Sequence, residues 1–250
     1  RQMCIRDRDG PALPLLRSLM PEEVLGASFR VYIGVKGDKI IKKYQHRIPR
    51  KSEGYFLKIE KDCIVIAGAD ERGAYYGVQT LAQLLALDKL PLAEVTDYPD
   101  VPYRGVVEGF YGAPWSQEAC IRQLDFYGRN KMNVYIYGPK DDPYHRTPNW
   151  RKPYPAREGE ELKVLVNRAK ENNVIFYWAI HPGQDIRWNE EDRSLLLQKF
   201  ESMYQLGVRG FAVFFDDISG EGTKADKQAE LLNYIDDHFV KVKRDVAPLI

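Results

Sequence analysis

From Arg104 onward the sequence alternates between short, nearly continuous apolar runs and longer stretches with apolar residues at helical spacing. No other feature constrains the fold as tightly. Apolar runs that lack a polar alternation need burial on both faces, and amphipathic helices between them supply the cover. The runs are Arg104–Tyr111 (RGVVEGFY), Met132–Tyr137 (MNVYIY), Val174–Ile180 (VIFYWAI) and Gly210–Phe215 (GFAVFF). Helices are predicted over Ser116–Asn130, Glu160–Asn172, Glu190–Leu206 and Asp226–Val242. In the second of these, Leu162, Leu165, Val166 and Ala169 fall on one face. A closed barrel of eight such units takes about 250 residues. The expected class is therefore α/β, with the first four βα units of a (β/α)8 TIM barrel, truncated at Ile250. A complete open sheet of four strands is the alternative.

The residues before Arg104 follow another grammar. Between Ser28 and Ile66 apolar and polar residues alternate (FRVYIGV, then YFLKIEKDCIVIAG), with turns at Gly37-Asp38 and Lys61-Asp62. A helix is predicted in ADERGAYYGVQTLAQLLAL, carried by Tyr76, Val78, Leu81, Leu84 and Leu85. A small α+β domain is expected over residues 11–98, joined through the Pro- and Asp-rich DYPDVP to a barrel domain over 99–250. Residues 1–10, which begin RQMCIRDR, carry no hydrophobic pattern and are set aside as a non-native or disordered segment.

Charge and cysteine usage narrow the partners. Lys and Arg number 37 against 36 Asp and Glu, for a net charge of +1, so no field attracts nucleic acid or an anionic membrane. Mean hydropathy is −0.47, and no run approaches the ~18 apolar residues of a membrane span. The 3 Cys (4, 63 and 120) and 4 His are scattered, without the spacing of a disulfide framework or a zinc motif. Cys63 and Cys120 sit in apolar surroundings and read as small core residues. Neither a cofactor nor a metal is expected.

Polar, glycine-bearing clusters stand at the C-terminal end of every predicted barrel strand: Glu108–Gly112 (EGFYG), Tyr137–Asp142 (YGPKDD), His181–Asp185 (HPGQD) and Asp216–Gly220 (DDISG). The strand starts lack them. In a βα barrel those ends face one site. Asp216-Asp217 is the sharpest feature, because adjacent carboxylates push their pKa values apart. One then stays charged while the other holds a proton, the division of labour that glycoside hydrolysis asks for. An acidic loop that caps the next helix, or that holds a divalent cation together with Asp141 and Asp142, is the other reading.

Lys140 can hydrogen-bond ligand hydroxyls or be a solvated surface lysine. Pro139–Glu158 has no periodicity and carries Tyr144, Trp150 and Tyr154, which suits a pocket wall or lid as well as packing against a rim. Gly109 and Gly112 admit close approach of backbone to a ligand, or simply ease a bend. Tyr111 is a ligand contact or a core residue. His181 is read as a structural hydrogen bonder, Trp178 and Trp188 as packing, and Glu108 has no assigned role.

Taken together, VVEGFYGAPWS, NVYIYGPKDDPYH, WAIHPGQDI and FAVFFDDISGEGT resemble glycoside hydrolase family 84, the bacterial O-GlcNAcase-like β-N-acetylglucosaminidases. KIEKDCIVIAGADERGAYYGVQTLAQLL is similar to the small α+β domain that precedes the barrel in that family. The resemblance implies a retaining exo-β-N-acetylglucosaminidase with substrate-assisted catalysis through an oxazoline. Asp216 would polarise the 2-acetamido group, and Asp217 would act as general acid and then base. Gly109 (through its backbone), Tyr111 and Lys140 match positions that line the sugar site. Adjacent Asp-Asp, in place of Asp-Glu, separates the chain from the related family 20 hexosaminidases. The implied partner is a carbohydrate, terminal β-linked N-acetylglucosamine on glycans or glycoproteins, in the periplasm or outside a bacterium. Further sugar contacts of the family lie beyond Ile250, so the chain alone is expected to be inactive. A non-catalytic glycan-binding module and a hyaluronidase-like preference are the alternatives carried forward.

Overall fold

A computed structural model describes residues 3–6, 12–20 and 28–250. The chain divides into two units. The first runs to Pro102 and takes in Arg129–Lys131; the second comprises Tyr103–Gly128 and Met132–Ile250.

The first unit is built on a sheet of β1 (Met3–Arg6), β2 (Phe29–Val35), β3 (Tyr55–Ile59), β4 (Cys63–Gly68) and β5 (Ala93–Asp97), in the order β1-β2-β4-β3-β5. The first three strands in that order are parallel, and β3 runs antiparallel to both β4 and β5. Helices α1 (Ala12–Leu19) and α2 (Glu71–Leu85) supply Leu16, Tyr76, Val78 and Leu81 to a core shared with Val31, Leu57, Ile64 and Ile66. Ile41, from a 3-10 segment over Lys39–Arg47, packs with Phe56, Val65 and Ala67 in a second cluster. Strand β4 is thus buried on both faces, which explains why CIVIAG reads as continuous rather than alternating. Asp70 caps α2, its carboxylate accepting the Gly73 N–H at 2.8 Å.

Met3–Arg6, set aside on the sequence pattern, pairs in parallel with Phe29–Tyr32. Main-chain pairing on an edge needs no hydrophobic periodicity, so the pattern carries no sign of it. The other residues of the 1–10 segment lie outside the described residues. Strand β5 (AEVTD) escapes the pattern for a similar reason, since no residue of this edge strand is fully buried.

In the second unit β6 (Gly105–Glu108), β7 (Val134–Tyr137), β8 (Ile175–Ile180) and β9 (Gly210–Val213) form a wholly parallel sheet in chain order. They alternate with α3 (Gln117–Arg129), α4 (Ala156–Glu171), α5 (Glu190–Gln205) and α6 (Ala225–Ile235). The helix-side core holds Leu124, Tyr135, Trp178, Ile180, Phe200, Phe211 and Phe239. The intervening strand residues Val134, Ile136, Tyr177, Ala179 and Ala212 form a separate cluster on the other face. Past β9 the ladder goes on: Ala247 N–H donates to Arg209 O at 2.7 Å and Ile250 N–H to Phe211 O at 3.2 Å. The α/β class expected from the alternation is the one found, a small sheet domain followed by successive βα units of a partial TIM barrel. Among the described residues, no helix is long and apolar enough to cross a membrane.

The strands are shorter than the apolar runs. β6 stops at Glu108 and β9 at Val213, which releases Gly109–Tyr111 and Phe214–Asp217 as loops at the C-terminal edge.

Candidate active site

Phe214 keeps one further sheet bond, its N–H donating to Ile180 O at 2.8 Å, before the chain turns. Within that turn Asp217 takes a φ of +54°, a left-handed conformation uncommon outside glycine. Successive residues of a strand point to opposite faces; leaving the strand here lets both aspartates meet partners from neighbouring strand ends.

Asp216 accepts from Lys140 through Oδ2. The His181 Nε2 lies 2.7 Å from the Asp216 backbone oxygen and 3.4 Å from its Oδ1. Lys140 is buried and held by its own backbone, with its N–H donating to Phe110 O at 3.0 Å. Its ammonium lies 5.6 Å from the centre of the Phe214 ring and 6.0 Å from that of Tyr111. Burial alone would raise the Asp216 carboxyl; the bond and charge of Lys140, helped by His181, more than reverse this and hold it below the ordinary carboxylate range. Burial lowers the His181 imidazole. Because a carbonyl oxygen only accepts, the His181 Nε2 carries the proton in its bond to the backbone oxygen of Asp216.

Asp217 accepts from the Tyr111 hydroxyl at 2.8 Å. That hydrogen bond and the aspartate charge raise the Tyr111 phenol above its usual value. Of the residues singled out in the sequence, the fold therefore joins Asp216 to Lys140 and Asp217 to Tyr111. Gly109 stands one residue beyond β6, and a Cβ placed there would lie 3.8 Å from the Phe214 ring. The contacts of the carboxylate pair are with Tyr111, Lys140 and His181 rather than with Gly109.

Two buried carboxylates support these strand ends. Glu108, fully buried, accepts from the Tyr135 hydroxyl and from the Trp115 N–H at 3.0 Å, with the Cys120 Sγ 3.8 Å away. Asp142 accepts from the hydroxyls of Tyr137 at 2.9 Å and Tyr154 at 2.7 Å and from the Tyr144 N–H at 2.7 Å. A buried charge is costly unless hydrogen-bonded, and each carboxylate meets that demand with neutral donors. Sequence reasoning gave Glu108 no role and weighed Asp142 only as a metal ligand. The available signal was position, an acidic residue at or just past the end of an apolar strand. Among the described residues the four aspartates 141, 142, 216 and 217 do not gather as a ligand cluster; the one group of that kind is Glu60, Asp62 and Cys63. Cys120 is buried, and burial with the neighbouring Glu108 charge pushes its thiol up to about 11.

The loop after β7 is packed down. Trp150 is fully buried, and its Nε1–H donates to Asp185 Oδ1 at 2.7 Å. Arg151 bridges Asp185 at 2.7 Å and Asp192 at 2.6 Å. Arg146 donates to the Lys140 carbonyl at 3.1 Å, tying the loop to the site lysine. Trp178 is packing, as read from the sequence, with its N–H on the Tyr154 hydroxyl at 3.1 Å.

Residues 104–250 match the model of the beta-N-acetylglucosaminidase family. The chain belongs to that family. Residues 32–98 match domain 2 of glycosyl hydrolase family 20. The protein O-GlcNAcase of Rattus norvegicus is 42% identical over 125 residues, which are 50% of this chain and 14% of that protein. Among solved structures, CpGH84B superposes with a TM-score of 0.92 at 38% identity, covering 99% of this chain and 46% of the other. CpGH84D gives 0.85 at 27% identity over the same shares, 99% and 46%. The chain thus spans less than half the length of these family 84 relatives, and its Asp216-Asp217 doublet lies in the part matched by the family model.

Proposed function

We propose that the protein acts as a retaining exo-β-N-acetylglucosaminidase on terminal β-linked N-acetylglucosamine of glycans or glycoproteins, with catalysis assisted by the substrate. The observation that carries this reading is the unequal setting of two adjacent carboxylates. Asp216 is held as an anion by Lys140, whereas Asp217 has a neutral hydroxyl, that of Tyr111, as its partner.

An ionised Asp216 accepts the N–H of the 2-acetamido group and makes the acetamido oxygen a better nucleophile. That oxygen attacks the anomeric carbon as the glycosidic C–O bond breaks. The bonding pair leaves with the aglycone oxygen, which takes a proton from Asp217. Asp217, now a carboxylate, removes a proton from the water that opens the oxazoline, and the original anomeric configuration returns. The name of the rat relative and the family match support an acetamido sugar as substrate.

The test compares hydrolysis of a nitrophenyl 2-acetamido-2-deoxy-β-glucoside with that of the plain β-glucoside, using the protein expressed from its full reading frame. Cleavage of the acetamido sugar alone, lost in Asp217→Ala, supports the reading. Equal cleavage of both points to an ordinary protein nucleophile and overturns the mechanism. A folded protein that cleaves neither would overturn the enzymatic reading and bring the glycan-binding module to the front.

A further inference from the structure

Glu108 contributes nothing to the mechanism above, yet it is a fully buried carboxylate at the mouth of the loop that delivers Tyr111. The segment between β6 and α3 has no regular structure, and Tyr111, Gly112, Ala113 and Pro114 within it are exposed. Three ties define its path. Lys140 N–H binds the Phe110 carbonyl at 3.0 Å. The rings of Phe110 and Trp115 lie 5.5 Å apart. Glu108 Oε1 reaches forward to the Trp115 N–H at 3.0 Å. The last of these closes the loop on itself from one end to the other, while the second carboxylate oxygen is fixed from β7 by Tyr135.

We infer that Glu108 is a positioning residue that pins the Gly109–Trp115 loop so that the Tyr111 hydroxyl stays on Asp217. The inference rests on the functional reading given above. Burying a carboxylate among neutral donors is a costly way to stabilise a strand end, but its two oxygens hold the loop's closing amide and the Tyr135 hydroxyl of β7 at once. Glu108→Gln keeps the pin, because its amide oxygen accepts from Trp115 and its NH2 donates to the Tyr135 oxygen. Glu108→Leu fills the space and removes both acceptors.

The experiment is a double-mutant cycle with Tyr111→Phe, read as kcat/KM on the nitrophenyl acetamido glucoside, together with amide hydrogen exchange over residues 109–116. Glu108→Leu and Tyr111→Phe should each lose about tenfold, the worth of one hydrogen bond. The double variant should lose about tenfold in total, no more than either single variant, rather than the about hundredfold of independent effects. Exchange of the loop should quicken in Glu108→Leu and stay as in the wild type in Glu108→Gln. Multiplying losses, or unchanged exchange in Glu108→Leu, would overturn the inference. If Glu108→Leu does not fold, Glu108→Asp, which draws the carboxylate back by one methylene, takes its place in the cycle. A wild-type protein that cleaves no acetamido sugar would sink the functional reading, and loop exchange would then decide the pin by itself.

Discussion

The Tyr111 hydroxyl donates to Asp217 Oδ2 at 2.8 Å, although one residue follows β6 and the other follows β9, the two outer strands of the four-stranded sheet. Three inter-strand spacings of about 4.8 Å each separate the outer strands of a flat sheet, more than a tyrosine side chain spans. The loops that follow the two strands therefore close the remaining distance and meet over the C-terminal edge of the sheet.

Tyr111 is 60% exposed, so Tyr111→Phe should leave thermal stability unchanged. Its loss should appear in catalysis: kcat/KM on the acetamido glucoside falls about tenfold, the worth of one hydrogen bond to the carboxylate proposed as acid and base. Steady-state kinetics and a thermal melt on the same preparation check both halves.

Lys140→Met removes the cation that outweighs burial at Asp216. The Asp216 pKa then rises, and the carboxylate is lost at a higher pH as acid is added. The acidic limb of the kcat/KM profile should accordingly move to higher pH, with a lower plateau. A limb that stayed in place would mean that a group other than Asp216 sets it.

Lys199 reports on stability. It is buried, with its ammonium 4.3 Å from the centre of the Tyr154 ring and 5.7 Å from those of Tyr144 and Trp178. Burial lowers its pKa to about 8. Between about pH 8 and the normal lysine pKa of about 10.4 the unfolded chain carries a proton that the folded chain lacks, so stability rises with pH. The rise attributable to this group is about 3 kcal/mol. Urea titrations at several pH values should show it in the wild type and not in Lys199→Met.

Gly138→Ala tests the floor under Lys140. A Cβ there would lie 2.5 Å from Phe214 Cε2 and 3.1 Å from Ala179 Cβ, and Phe214 is the ring beneath the Lys140 ammonium. The substitution should cost about 1–3 kcal/mol of stability and reduce kcat/KM by displacing Lys140. Retained activity with retained stability would show that Phe214 moves aside without disturbing the lysine.

The second unit was legible because its signals are local. GFAVFF and VIFYWAI read as doubly buried strands, and the helices between them follow the 3.6-residue period. The adjacency of Asp216 and Asp217 needs no structure to be noticed. Strand ends were less legible. RGVVEGFY and GFAVFF run on past Glu108 and Val213 in apolar character, whereas the regular strands end there and Asp217 adopts a left-handed φ of +54°. Backbone conformation at a turn is decided by what the turn packs against, not by the hydrophobicity of the run that enters it. Met3–Arg6 makes the same point from the other side, a strand whose pairing partner, not its pattern, brings it into the sheet.

By itself the sequence determined the alternation of strands and helices in the second unit, the buried face of its helices, the cluster of polar residues at the strand ends and the carboxylate doublet, all of which depend on spacing along the chain. Only the tertiary structure decided which partner each carboxylate meets. Lys140 reaches Asp216 across 76 residues and Tyr111 reaches Asp217 across 106, while Glu108 and Asp142 turn to tyrosines and backbone amides. Those pairings depend on the curvature of the sheet and the path of its loops, and electrostatic partners at such separations leave no periodic trace in the order of residues.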